Sequence, residues 1–544
     1  MSAAGRPNIL VVMADQLAAS WLPVYGHRVV RAPHLSALAE LSTVFESAYT
    51  ASPLCAPARA SLLTGRLPSR TGVYDNAAEL RASTPTIAHH LRAAGYATCL
   101  AGKMHFVGPD QLHGFEERLT TDIYPADLDW TPDWTLAAGD RLPWYHTTEA
   151  VLHPGVCEAS MQLDYDDEVT FRAVRKLYDL GRERGERPFF LAVSFTHPHD
   201  PWEVRARHWA MYDRDAVDAP AVGLVPLESA DPHSRRLREM SGIDDVRLTE
   251  AQIRRARHGY YAAISYVDER VGEVLDALRA VGAEEDTIVV FTADHGEMLG
   301  ERGLWYKMSF FEPSAQVPLL IRDPRGTGAR RVAEPVSVLD LAPTLLELAR
   351  SQPEEHPAFD GSSLTPLARG GRRVRSGAVA EYLAEGLTAP AVMVRRGRYK
   401  LVVCPGDPDQ LYDLAADPHE MVNLAASDAH AMVADELRRE VEDRWDLESL
   451  YAAVLASQRD RRIAAAALRR GAYTAWDFQP VVDASMQYVR NRADLYDLQR
   501  RARLDARTPP STQLHAPALR ALGHRDAIVP GRRIARVGEE KEEA

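Results

Sequence analysis

Cysteine is scarce. Four residues in a chain of 544, Cys55, Cys99, Cys157 and Cys404, are too few for a disulfide framework and too far apart for a zinc or redox pair. Long apolar runs are missing as well: no stretch of about 20 hydrophobic residues occurs, which excludes a membrane-spanning helix. Basic residues are the minority, 64 Lys and Arg against 77 Asp and Glu. The formal charge of −13 argues against nucleic acid, whose phosphates need clustered cations. An acidic surface suits a neutral or cationic partner better. The chain has no internal repeat. Met1–Pro7 is too short to hold the basic and apolar parts of a secretory signal before the first strand, so a reducing cytoplasm is the expected compartment.

What the chain does contain is an ordinary globular balance, with 46% hydrophobic and 26% charged residues. Its length predicts several cores, or one large α/β domain with an appendage. Asn8–Met13 is an unalternating run of Ile, Leu and Val, the pattern of a strand buried on both faces of a parallel sheet. Helical periodicity follows in Pro33–Leu41 and Thr86–Ala94, ahead of a short strand over Tyr96–Ala101. Amphipathic stretches Asp164–Arg182 and Glu250–Ala280 precede two further apolar strands, Pro188–Phe195 and Asp286–Thr292. Ligands of open parallel sheets bind beyond the carboxyl ends of the strands. Here those ends carry Asp15, then His197 and His199, then Asp294 and His295, all metal-ligand residue types.

The pattern changes after about Ser376. Ala391–Arg395, Tyr399–Cys404 and Gln410–Tyr412 predict a small antiparallel sheet, and helices return from Asp428, the expected N-cap, to Arg470. Beyond Thr508 the chain is rich in Pro, Arg and Glu and is not expected to order by itself. The expected fold is therefore α/β: a large, mostly parallel sheet flanked by helices over 1–376, a smaller antiparallel sheet plus helices over 377–507, and a tail over 508–544.

Pro53–Arg66 reads PLCAPARASLLTGR. Its Cys55-x-Pro57-x-Arg59 core, extended by Leu63-Thr64-Gly65-Arg66, resembles the signature with which type I sulfatases mark a cysteine for oxidation to formylglycine. The resemblance implies an alkaline-phosphatase-like fold and a hydrated aldehyde at residue 55. One hydroxyl of that hydrate attacks the sulfur of a sulfate ester, and the other later expels sulfate. Arg59 would hold the attacking oxygen as an alkoxide, and Pro57 would shape the turn. Asp15, Asp294, His295 and the oxidised Cys55 match the superfamily's divalent-metal ligands. The oxygen donors favour Ca²⁺, with Mn²⁺ or Mg²⁺ as competitors. The chain departs from the common pattern in having Asp15-Gln16 and Asp294-His295 in place of Asp-Asp and Asp-Asn, so Gln16 either coordinates weakly or merely faces the site.

Gly102-Lys103-Met104-His105 resembles the family's Gly-Lys-x-His element, with Lys103 neutralising sulfate oxygens and His105 acting as the base. Pro198-His199-Asp200-Pro201 resembles Pro-His-x-Pro, so His199 is expected on the sulfate or leaving-group oxygen, with His197 the fallback. Lys307 occupies the place of the second family lysine and would stabilise charge on the bridging oxygen.

Arg70–Glu79, Lys103–Trp130, Val193–Pro201, Gly300–Phe311 and Arg470–Asn491 are similar to the choline-sulfatases. A quaternary ammonium group has no hydrogen-bond donor, so aromatic faces and carboxylates must recognise it, each cation–π contact contributing roughly 0.5–2 kcal/mol. By that resemblance Asn76, Trp130 and His146 form the choline pocket, with Glu381, Glu385, Asp494 and Asp497 as weaker candidates for an anionic wall. Trp134 and Tyr145 fit loop packing better. The resemblance also implies a formylglycine-generating enzyme as maturation partner and a homotetramer whose C-terminal segments reach a neighbouring site. The expected reaction is hydrolysis of choline-O-sulfate. The alternatives are a phosphonate monoesterase or phosphodiesterase of the same superfamily, and a quaternary-ammonium binding protein with an unoxidised Cys55.

Overall fold

The apolar run after Asn8 forms β1 (Asn8–Ala14), buried from Ile9 onward, at the centre of an eight-stranded sheet. The computed structural model describes residues 5–470, except 137–140, 183–186, 327, 352–357 and 374–376. In chain order the other strands of this sheet are β2 (Thr43–Phe45), β3 (Ala97–Gly102), β4 (Glu117–Arg118), β5 (Phe189–Ser194), β6 (Thr287–Ala293), β7 (Leu319–Arg322) and β8 (Arg330–Val332). Their spatial order is β8-β2-β7-β6-β1-β5-β3-β4. The block β6-β1-β5-β3-β4 is wholly parallel, and β7 runs antiparallel between β6 and β2. β5 and β6 are buried along their whole length, as their unalternating apolar sequences require. Each fully buried large apolar side chain of this central block contributes roughly 1.5–3 kcal/mol.

The helices in chain order include α1 (Pro33–Glu40), α2 (Cys55–Thr64), α3 (Ile87–Ala93), α4 (Met161–Arg182), α5 (Glu250–Ala280), α6 (Leu341–Leu348), α7 (Ala431–Arg444) and α8 (Leu447–Leu468). α5 starts where Thr249 and Gln252 cap one another's backbone N–H groups. α2 is unusual in burying all ten of its residues, Arg59 among them. Pro57 lies inside the first turn of α2 and not in a preceding turn. Proline is tolerated there because the first N–H groups of a helix lack intrahelical acceptors anyway.

The small sheet has four strands, β9 (Ala378–Tyr382), β10 (Ala391–Arg396), β11 (Tyr399–Val403) and β12 (Gln410–Asp413), all antiparallel in sequential order. β9 was not expected: it is buried throughout, so its AVAEY sequence carries no alternation. Glu381 N donates to Ala51 O at 2.9 Å, which joins this sheet to the segment leading into α2. Asp428 does not cap the long helix; it lies in a short 3-10 turn that follows Ser427, and α7 begins at Ala431. Asp446 caps α8. The described residues all fall within one compact unit. The second unit, Gln479–Ala544, the tail and the words Gly471–Asn491 lie outside the described residues. Among the described residues no helix is long and apolar enough to cross a membrane.

Candidate active site

Four parallel strands end on one rim. β1 is followed by Asp15, β6 by Asp294 and His295, β5 leads through Ser194 to His199, and β3 ends at Gly102 before Lys103. Gly102 has a φ of 101°, and a Cβ there would sit 1.9 Å from the Ser194 carbonyl oxygen. This close approach lets Lys103 N donate to Ser194 O at 3.0 Å and turns the lysine into the site. α2 points its first residue, Cys55, at the same place. No side chain of its own N-terminal turn caps it; Asn76 Oδ1 accepts from Ala56 N at 3.0 Å instead.

The sulfur of Cys55 lies 3.1 Å from His295 Nε2 and 3.8 Å from Asp15 Oδ1. Arg59, one turn along α2, donates from Nε to Asp294 Oδ2 at 2.8 Å and from Nη1 to Lys103 O at 2.6 Å and Ser194 Oγ at 2.8 Å. Its Nη2 lies 3.5 Å from Asp15 Oδ2 and has no hydrogen-bond partner. Lys103 Nζ pairs with the same Asp15 oxygen. Burial by itself would raise Asp15, but Lys103, His199 and Arg59 hold it well below the usual carboxylate range. Burial outweighs the nearby carboxylates at His295 and lowers its pKa, so the imidazole is neutral and able to offer a lone pair.

Asp15, Cys55, Asp294 and His295 each present one donor atom within 4.8 Å of the others, and all four are buried. Two carboxylates, a neutral imidazole and residue 55 converging on one point fit a divalent cation. Gln16 is not in that group. Its side chain turns the other way: Oε1 accepts from Lys307 Nζ at 2.7 Å, and Nε2 donates to Asp200 Oδ1 at 3.3 Å and to Glu297 Oε2. Only its backbone N–H serves the metal-type carboxylates, donating to Asp294 Oδ1 at 3.0 Å.

Lys307 also lies 2.9 Å from His199 Nε2 and 3.3 Å from His146 Nε2. Burial would lower this lysine, but Cys55, Asp200 and Asp15 raise its pKa, so it is charged. Both histidines are held well below their usual range by burial and by the Lys307 charge. His199 Nδ1 donates to Asp200 O at 2.8 Å, which leaves Nε2 as the acceptor facing Lys307. His197 is held by Asp166 on α4, which accepts from its Nδ1 at 2.7 Å and from its backbone N at 2.9 Å. His105 has a positive φ of 57°, held by Asp122, which accepts from the backbone N of Met104 and His105 at 3.0 and 2.7 Å. Neither imidazole nitrogen of this buried histidine has a partner among the described residues.

Trp130 stands at the mouth, stacked with Trp144 at 6.3 Å between centroids and edge-on to His105 at 6.0 Å. A cavity of about 560 Å³ opens between these tryptophans and α8. Tyr124, unremarked in the sequence, fills the space between His105, Trp130 and His199, with Lys103 Nζ 4.1 Å from its ring centroid. Trp134 is a packing residue: its indole donates to Ala384 O at 2.8 Å and stacks on Tyr451. The carboxylate of Glu381 is taken by Ser69 N, Ser69 Oγ and Trp445 Nε1 at 2.6–2.7 Å, so it braces the small sheet and forms no anionic wall. Glu385 is the opposite case. It is 1% exposed, neither carboxylate oxygen has a hydrogen-bond partner, and burial pushes it up to about 7 against the pull of Lys307. Asp494 and Asp497 lie outside the described residues. Asp122, Asp166 and Glu297 carry no signal in the sequence because a carboxylate that orients a backbone turn, an imidazole or an amide has no local pattern of its own, and the ring of Tyr124 is placed by neighbours distant in the chain.

Residues 7–351 match the sulfatase family, 452–504 match the choline sulfatase enzyme C terminal, and 300–446 match the N-sulphoglucosamine sulphohydrolase C-terminal family. The chain is 50% identical over 505 residues to a choline-sulfatase of Rhizobium meliloti (strain 1021), covering 91% of this chain and 98% of the relative. It is 28% identical to an arylsulfatase of Clostridium perfringens, over 80% of this chain and 93% of that one. The phosphonate monoester hydrolase of Agrobacterium radiobacter superposes with a TM-score of 0.64 at 28% identity, covering 83% of this chain and 96% of that one. That superposition supports the alkaline-phosphatase-like architecture, and the family implies both a divalent metal and formylglycine. With the sulfatase pattern spanning most of its length around a converged Cys55 centre, this chain belongs to the sulfatase family and is a sulfuric ester hydrolase.

Proposed function

We propose that this enzyme hydrolyses choline-O-sulfate to choline and sulfate. The Rhizobium meliloti relative carries the name choline-sulfatase, and the observation on this chain that carries the reading is Glu385. A buried carboxylate without a hydrogen-bond partner is costly unless a cation completes it. Glu385 lies within electrostatic reach of Lys307 at the sulfate end and of Tyr145 and Tyr382. A quaternary ammonium group suits such a site because it neutralises charge without needing an acceptor, and Trp130 and His146 add aromatic faces. Asn76 completes this end of the substrate while holding the start of α2.

Cys55, oxidised to formylglycine by a formylglycine-generating enzyme, supplies the oxygen nucleophile for sulfur. Asp15, Cys55, Asp294 and His295 would hold a divalent cation, which would supply positive charge beside residue 55; the carboxylate oxygens favour Ca²⁺, and the imidazole leaves Mn²⁺ and Mg²⁺ as competitors. Arg59 pairs with both Asp15 and Asp294, and its Nη2, which has no hydrogen-bond partner, is available to hold the attacking oxygen as an alkoxide. Lys103 neutralises sulfate oxygens. Lys307, oriented by Gln16 and His199, stabilises charge on the bridging oxygen as the ester breaks. His199 acts on that leaving-group oxygen through Lys307, whose ammonium its Nε2 holds in place, and His105, with both ring nitrogens unengaged, acts as the base for sulfate release. A cytoplasmic homotetramer completes the proposal.

The test is turnover of choline-O-sulfate, 4-nitrophenyl sulfate and a phosphonate monoester, after metal exchange, by the native protein and by Trp130→Ala and Glu385→Gln. The reading expects choline-O-sulfate to be the best substrate, and both variants to lose it while sparing the aryl sulfate. A higher kcat/KM on the phosphonate would transfer the assignment to the phosphonate hydrolases.

A further inference from the structure

α8 is tied to the front of the active site by a buried ion pair. Arg461 donates from Nη1 and Nη2 to the two carboxylate oxygens of Asp75 at 2.6 and 2.7 Å, the paired geometry in which arginine–carboxylate bonds are strongest. Asp75 is fully buried and the Arg461 side chain is 11% exposed, so solvent screening is weak. Asp75 Oδ1 also accepts from Ala77 N at 3.0 Å, closing the turn that carries Asn76. Asn76 in turn holds the backbone N of Ala56, one residue past the nucleophile position. The same guanidinium reaches Thr131 Oγ1 at 3.3 Å, the neighbour of Trp130. One turn earlier on α8, Gln458 Oε1 accepts from Trp134 N at 3.0 Å.

We propose that Arg461 is a positioning residue for substrate selectivity: through Asp75 and Thr131 it fixes Asn76 and Trp130 around the leaving-group end of the substrate. This rests on the choline-O-sulfate reading. Two loops far apart in sequence, 73–78 and 127–135, share no strand or helix. A single planar cation with donors on two edges sets their spacing, and a lysine could satisfy only part of that pattern. Arg461 falls within the stretch 452–504 that matches the choline sulfatase C-terminal family, as expected for a residue that shapes selectivity for this leaving group.

The experiment compares the full-length protein with Arg461→Met, Arg461→Lys and the double variant Asp75→Asn/Arg461→Met. It measures Tm and kcat/KM for choline-O-sulfate and for 4-nitrophenyl sulfate. Arg461→Met should lower the choline-O-sulfate to aryl sulfate ratio by roughly tenfold or more, the scale of a small misplacement of binding groups. Arg461→Lys should recover part of that ratio. Removing Asp75 as well takes away the stranded buried charge, so the double variant should regain Tm yet keep the depressed ratio. A ratio unchanged in Arg461→Met, or one that returns with Tm in the double variant, would overturn the proposal and leave Arg461 a stability clamp. If Arg461→Met does not fold, the double variant decides alone. A native enzyme that turns over the aryl sulfate but not choline-O-sulfate would remove the substrate reading and this proposal together; turnover of both with an unmoved ratio removes only the proposal.

Discussion

Lys307 Nζ donates to Gln16 Oε1 at 2.7 Å, so the residue that replaces the common second aspartate serves a lysine and stays out of the metal-type cluster. The amide is oriented from its other end by Glu297 and Asp200. A carboxylate at position 16 would meet those two acidic side chains without a proton to give them. A glutamine instead presents its oxygen to the cation and its NH₂ to the acids.

Lys307→Ala is expected to act according to the leaving group. If the lysine neutralises the bridging oxygen, its loss should cost about 10²–10³-fold in kcat on choline-O-sulfate, whose alkoxide leaves poorly, the scale of removing one transition-state donor. The loss should be much smaller on 4-nitrophenyl sulfate. A Brønsted series of aryl sulfates checks this: the slope steepens in the variant, whereas a uniform loss would assign Lys307 to binding alone.

Arg59→Met should destabilise the fold as well as abolish turnover. Asp15 and Asp294 are fully buried and share this guanidinium. Breaking a buried pair by removing one partner costs on the order of 3–5 kcal/mol. Urea unfolding of the metal-free protein reads it, and a midpoint within error of the native one would contradict the pairing.

Glu385 predicts opposite effects on stability and on selectivity. Burial raises its pKa from the ordinary glutamate value of 4.5 to about 7 in the folded protein, so the fold holds a proton that the unfolded chain releases between those values. The stability from that proton is fully present below 4.5 and is lost as pH rises through 7. Glu385→Gln should therefore raise Tm at pH 8, by an amount corresponding to about 3 kcal/mol at 1.36 kcal/mol per pKa unit. The charged and titratable groups facing it are Asp75, Lys307, Tyr145 and Tyr382. The choline-O-sulfate to aryl sulfate ratio of kcat/KM should fall as pH drops below 7 in the native enzyme and stay flat in Glu385→Gln. A flat native ratio would detach Glu385 from the substrate.

Cys55→Ala should abolish turnover and leave the circular dichroism spectrum unchanged, because alanine fits the first position of α2. Chelation should silence the native enzyme reversibly. Mass spectrometry of the Cys55 peptide from the native host supplies the independent check: an unmodified thiol in fully active protein would exclude formylglycine chemistry.

The buried parallel strands were legible in the sequence because burial on both faces forces an unalternating apolar run, as in Asn8–Ala14 and Thr287–Ala293. Cys55, Arg59, Lys103 and Lys307 were legible because each stands in a short word whose spacing is set by a strand end or a helix turn. β9 and the start of α7 were less so. A fully buried five-residue strand has no period to detect, and Asp428 belongs to a separate turn just before the helix.

By itself the sequence determined the parallel α/β core and the residue types that gather around Cys55, since these follow from local pattern and from short motifs that tolerate few residue types. Tertiary structure alone set His199 beside Lys307 and His197 against Asp166, turned the Gln16 side chain away from the metal-type cluster and separated Glu385 from Glu381. Each of those outcomes depends on a partner distant in the chain: Asp166 at 2.7 Å for His197, Lys307 for Gln16, Ser69 and Trp445 for Glu381. A side chain's availability for chemistry is set by which hydrogen bonds the fold has already closed around it, and that is a property of neighbours in space.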